Sequence, residues 1–156
     1  MTDQISILNA LHASLDDLAR EVERLPAETA LWREAEDEWS QHECLTHLQI
    51  VERHIFLPRM RAIVEQDNPF LPAVDERGLM QREWDSRRPR TELLAIFAED
   101  RRAELALLEV GDWARMGRHA KRGPISLGWM AHYTLGHTWE HLSQMMRVRL
   151  NYLAHG

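Results

Sequence analysis

The sequence predicts an all-α protein: a four-helix bundle with a long crossover between helices two and three. Three observations predict it. Apolar residues recur at steps of three and four over four long stretches, and no stretch alternates in the manner of a strand. A cap, a proline or a glycine marks at least one end of each stretch. Each stretch has one apolar face, and four such faces within 156 residues bury one another around a single core. The chain is read as one domain over residues 1–156.

The first helix is expected over about residues 3–25, where Leu8, Leu11, Leu15, Leu18, Val22 and Leu25 form one stripe and Pro26 ends it. The acidic, irregular segment PAETALWREAEDEWS reads as a connection. Ser40-Gln41-His42-Glu43 then has the form of a capping box, so helix two starts at Ser40. Its inner stripe is Cys44, His47, Leu48, Val51 and His54 or Ile55, and Pro58 is expected to kink or break it. Residues 67–90 hold three prolines and one glycine and form the long link, with a short helical piece near 76–85. Helix three runs from about 90 to 109, with Leu94, Phe97, Arg101, Leu105 and Leu108 on one face and Gly111 as its C-cap. The link DWARMGRHAKRGPIS is basic. Ser126 caps helix four, and Ile125 and Met130 are placed to form a hydrophobic staple around that cap. The inner stripe of helix four is Met130, Tyr133, His137, His141, Met145, Val148 and Tyr152. A link of this length between helices two and three lets them run parallel, with helices one and four antiparallel to them.

Composition narrows the function. Hydrophobic residues at 44% and charged residues at 28% describe a folded globular chain. No apolar run approaches the roughly 20 residues of a membrane span. The N-terminal stretch carries acid rather than Lys or Arg and has no small-residue cleavage site, so it does not read as a signal peptide. One cysteine, Cys44, cannot form an internal disulfide, and a cytoplasmic location is expected. A net charge of −6 argues against nucleic acid as the main partner, and a small-molecule substrate is expected.

Nine histidines stand out. His137 and His141 lie four apart in GHTWEHLSQMM, which separates them by about 40° and about 6 Å of rise on a helix. Both fall on the inner stripe, where a polar ring needs a partner. His132 is about 140° away from His137 and cannot easily join them. Helix two offers His47 on its own inner stripe; His54 is about 10 Å further along, so only one of the two can share an ion with the pair. The pattern H-x-x-E-H also occurs in zinc proteases, which need a further ligand well downstream. Only fifteen residues follow His141, without Asp or Glu among them. A third ligand must therefore come from upstream, which favours His47. His12 is read as a core-edge residue and His42 as solvated, while Trp39 and Trp113 are candidates for a pocket floor.

The run Trp39-Ser40 to Glu43, Leu45, His47 and Leu48 is similar to the W-S-x-x-E-x-L-x-H-L opening of helix two in the DinB/YfiT-like superfamily. His137 to His141, Gln144 and Met145 resemble its H-x-x-x-H-x-x-Q-I/M pattern on helix four. Arg101, Trp113, Gly123, Ser126 and Leu127 stand where the family has similar residues, so the resemblance spans most of the chain. It implies the crossover bundle, often as a homodimer. It also implies a divalent metal, Zn, Ni or Fe, held by one histidine of helix two and two of helix four, here His47, His137 and His141. Members include transferases and an isomerase that use low-molecular-weight thiols, and proteins described as metal-dependent hydrolases. The ergothioneine-pathway branch carries H-x-x-x-H-x-E; Ser143 departs from that pattern.

Three neutral imidazoles leave a divalent ion its full charge and an open position. Such an ion acidifies water, which gives a hydrolase, or deprotonates a thiol, which gives an S-transferase. The family favours the thiol; a non-catalytic metal- or partner-binding bundle is the reading from another class. Gln144, one turn beyond His141, is expected to support that ligand. Cys44, one turn before His47, is either a second supporting group or an inert core thiol. Glu140 is the one weak catalytic candidate, as general base, against a plain surface carboxylate. The basic loop Arg115, Arg118, His119, Lys121 and Arg122 either holds an anionic thiol or substrate or is simply solvated.

Overall fold

A computed structural model describes residues 2–156. In chain order the elements are α1 (Thr2–Glu23), a 3-10 turn (Ala27–Thr29), α2 (Gln41–Val51), a π turn (Glu52–Phe56), α3 (Leu57–Glu65), β1 (Phe70–Leu71), α4 (Glu76–Glu83), α5 (Arg90–Val110), β2 (Met116–His119), β3 (Gly123–Ser126) and α6 (Leu127–His155). No helix among the described residues is long and apolar enough to cross a membrane.

Four long rods make the bundle: α1, the continuous α2–π–α3 rod, α5 and α6. Each of α1 and α2 packs on both α5 and α6. Side-chain pairs give the directions. Gln41 meets Arg90, and Glu52 meets Arg101 further along, so α2 and α5 run parallel. Asp3 meets His132 and Glu21 meets Arg149, so α1 and α6 run parallel. His12 pairs with Glu109 while Val22 O accepts from Arg90, so α1 and α5 are antiparallel. This is the crossover arrangement the long link permits.

The caps form where local chemistry dictates them. Ser40 Oγ accepts from the Glu43 amide, and the Glu43 carboxylate accepts from Ser40 N at 2.8 Å. Ser126 Oγ accepts from the Trp129 amide, and Ile125 and Met130 are buried in the same apolar cluster. Gly111 caps α5 as expected, in extended backbone (φ −76°, ψ 148°), with its amide donating to Leu107 O.

Three expectations need correction. Pro58 does not break helix two. The π turn ahead of it sends the Leu57 amide back five residues to Glu52 O, and Pro58 falls in the first turn of α3, where its missing N–H leaves no gap in the ladder. The stripe of α6 is wider than the one expected: Met130, Met145 and Val148 are buried as read, Leu127, Ala131, Thr134, Leu135 and Thr138 are buried beside them, and Tyr133 is exposed. Thr138 sits inside because its Oγ1 donates to Thr134 O and accepts from the buried Arg101, whereas the Thr134 hydroxyl is buried without a partner. Finally, the links hold a small sheet of order β1-β2-β3. Its strands β2 and β3 form a hairpin, with Gly117 opposite Ile125, and Gly123 turns it at φ +76°. Strand β1 pairs parallel to β2, Leu71 opposite His119, which ties the start of the crossover to the loop before α6.

Arg101 stands at the centre of the bundle, fully buried. It donates to Glu52 (2.5 Å), Glu104 (3.2 Å), Ser14 (2.9 Å) and Thr138 (2.8 Å), and so touches all four rods.

Candidate metal centre

α2 and α6 run antiparallel side by side, and each turns its histidines toward the other. His47 Nε2 lies 3.1 Å from His137 Nε2. The ring centroids of His47 and His141, and of His137 and His141, are both 4.6 Å apart. One ligand atom from each ring falls within 4.8 Å of the others, and no carboxylate or thiol belongs to this group.

All three rings are half-buried. Burial, with the neighbouring His141, brings the pKa of His47 down to about 4. Burial, His141, His47 and the Arg101 cation bring that of His137 down to about 3. His141 is lowered by burial, with Gln144 acting in the opposite sense. The imidazoles are therefore neutral at pH 7, the form that ligates a metal. Two facing ring nitrogens at 3.1 Å can share only one proton, and His137 Nδ1 is buried without a partner. A divalent ion suits this donor set, because it supplies the positive charge that three converging nitrogen lone pairs lack.

The supporting groups are also in place. Gln144 Oε1 is 2.9 Å from His141 Nδ1, which places that ring's proton on Nδ1 and leaves Nε2 with its lone pair. Trp39 stacks on His141 (5.9 Å, 17°) and packs on His47 at 5.1 Å. Phe56 meets the edge of His137 at 5.2 Å. Trp39, a candidate pocket floor, packs directly on two of the three imidazoles and lines neither cavity that reaches His137; Trp113 donates to Leu108 O at the end of α5.

Other candidates lie elsewhere. Cys44 is fully buried in a cluster with Leu18, Leu48, Phe97 and Met145, and burial, with Glu43, pushes its thiol up to about 12. It sits there as a core thiol. His54 turns outward to Glu83 at 2.5 Å, leaving Ile55 in the core. His42, read as solvated, is buried, with its Nε2 2.8 Å from Arg88 O. Glu140 is exposed and lines a shallow cavity together with His137.

A second cavity of about 370 Å³ also reaches His137. His119, Lys121 and Arg122 of the hairpin line it, and Arg59 and Glu76 face them. Arg115 and Arg118 do not join them. Arg115 donates to Ile63 O (2.8 Å) and Gln66 O (2.6 Å) at the end of α3, and Arg118 donates to Asn68 O. Arg59 carried no signal in the sequence, since only the folded hairpin brings it a set of cationic neighbours.

The family model of the DinB superfamily matches residues 10–145. The chain belongs to the DinB superfamily. Among solved structures it is similar to YfiT from Bacillus subtilis, described as a probable metal-dependent hydrolase with an unusual four-helix bundle topology. That match has a TM-score of 0.82 at 16% identity, and covers 93% of this chain and 85% of YfiT. No curated protein matches the chain significantly. At this identity the likeness to YfiT speaks to fold, and the superfamily assignment accords with the expected bundle.

Proposed function

We propose that this DinB-superfamily protein is a metal-dependent enzyme whose His47, His137 and His141 hold one divalent ion, Zn, Ni or Fe. The observation that carries the reading is the convergence of three neutral imidazoles from two helices, with His141 oriented by Gln144. When bound, the ion supplies Lewis acidity that acidifies a thiol or a water at its side. We take a low-molecular-weight thiol as the nucleophile, which makes the reaction an S-transfer to an electrophilic small molecule. A hydrolase is the second reading, and the description of YfiT favours it.

The protein's own residues have assignable tasks. His47, His137 and His141 stay unprotonated at neutral pH and keep their lone pairs free. Gln144 holds the His141 ring against rotation. Trp39 and Phe56 exclude water from two sides. Glu140, beside His137 at a cavity edge, is the candidate proton acceptor.

Metal analysis of protein purified without an affinity tag tests the proposal. We expect about one equivalent of a divalent metal, and its loss in His47→Ala. Full metal content in His47→Ala overturns the ligand set. Less than about a tenth of an equivalent, with no uptake of added Zn or Ni, leaves a non-catalytic bundle. Conjugation of a model electrophile by several thiols, set against hydrolysis of an activated ester, separates the two enzyme readings.

A further inference from the structure

The cavity beside His137 has an uneven charge. Arg59, Lys121 and Arg122 line it, and Glu76 is the single carboxylate among its lining residues. None of the ion pairs among the described residues includes those three cations. Other arginines differ: Arg53, Arg101 and Arg149 each hold a carboxylate. Arg59 is half-buried; one of its terminal nitrogens donates to Pro72 O at 3.0 Å, and its Nε is buried without a partner. Arg122 lies over Trp129 (5.4 Å) and Tyr133 (5.2 Å), whose rings stack at 4.7 Å. Those rings position a guanidinium without neutralising it. Between them, His119 Nδ1 accepts the amides of Lys121 and Arg122 at 3.1 and 3.3 Å, which fixes the turn that carries both cations.

We propose that this cationic rim is an anion site. It takes the carboxylate or phosphate end of a small organic anion, and the other end of that molecule lies at His137. Three cations against the one carboxylate of Glu76, which acts on Arg59, leave a net positive potential focused into a cavity of about 370 Å³. A guanidinium fork matches a planar carboxylate or a phosphate face with two parallel hydrogen bonds. Arg122 reaches His137 through Tyr133 and Phe56, in ring contacts of 5.8 and 5.2 Å. The ligand therefore needs an apolar or unsaturated middle to lie against those rings. The inference rests on the proposed metal site only for which end of the ligand reacts.

Calorimetric titration with succinate, inorganic phosphate and neutral succinamide tests it, on protein as purified and after metal removal. Saturable binding of succinate or phosphate is expected in both samples, and none of succinamide. The tighter anion names the preferred head group. Arg122→Gln and Arg59→Lys should each weaken that anion at least about tenfold, while Arg87→Gln, on a distant loop, should not. Arg122 is exposed, so its replacement does not threaten the fold. Binding that vanishes with the metal, or that Arg122→Gln leaves unchanged, overturns the inference, as does no saturable binding of either anion. Metal content reports separately: anion binding in a chain that takes up no metal keeps this inference and removes the metal centre, and the reverse result does the opposite.

Discussion

At the scale of the residue, the site depends on which ring nitrogen carries a proton. Gln144 Oε1 accepts from His141 Nδ1, and this leaves Nε2 bare toward His47 and His137. Losing that acceptor frees the ring to rotate and to choose the other tautomer. Gln144→Leu should therefore weaken metal affinity by about 10- to 100-fold without removing a ligand. A competition titration with a chromogenic chelator measures it, and affinity equal to wild type would assign Gln144 no part in the site. Gln144→Glu is a useful companion, because a carboxylate accepts the same proton and should retain most of the affinity. His137 and His141 were legible in the sequence for the same local reason. A four-residue step fixes two rings on one helix face, and an apolar stripe fixes where that face points. His42 was illegible because the carbonyl that receives its ring belongs to Arg88, far along the chain.

At the scale of the element, α2 holds His47, its proposed ligand, about two turns from its N-terminus. Ser40 and Glu43 close the first turn reciprocally, and Arg33 clamps Glu43 from the preceding loop at 2.9 Å. Ser40 is itself buried, so its partners have no water to replace it. Ser40→Ala should cost about 1–2 kcal/mol of stability, read as a shift in the urea midpoint. No shift would mean that α2 is held by packing alone. Caps of this kind were readable because they involve only neighbours in sequence. The hairpin was not. Its strands are only four residues long, with glycine in both and proline in one, and what keeps them in place is pairing to β1 and packing over α3. The extra width of the α6 stripe escaped notice because Thr134 and Thr138 do not count as apolar, although both are buried.

At the scale of the whole molecule, Arg101 joins all four rods through one guanidinium. Removing one partner of such a buried group leaves the others uncompensated. Arg101→Met should destabilise by about 3–5 kcal/mol in denaturant melts. Glu52 and Glu104 share that single cation, and burial, then Glu52, raises the Glu104 pKa well above 4.5. Glu104 therefore keeps its proton in the fold while the unfolded chain releases it, so stability falls as pH rises past about 4.5 toward the folded value. Glu104→Gln, which mimics the protonated acid, should lose that slope; an unchanged pH profile would show Glu104 ionised in the fold. The packing order has a further consequence, in time rather than in energy. α1 and α2 lie diagonally across the bundle, as do α5 and α6, so neither pair closes a local hairpin. Most helix contacts join segments far apart in sequence, which slows folding relative to an up-and-down bundle. His47 is made well before His137 and His141, which lie ninety and more residues further along the chain. A nascent chain holding only His47 offers one weak ligand, so an ion bound at the proposed site would meet it only after the bundle has closed.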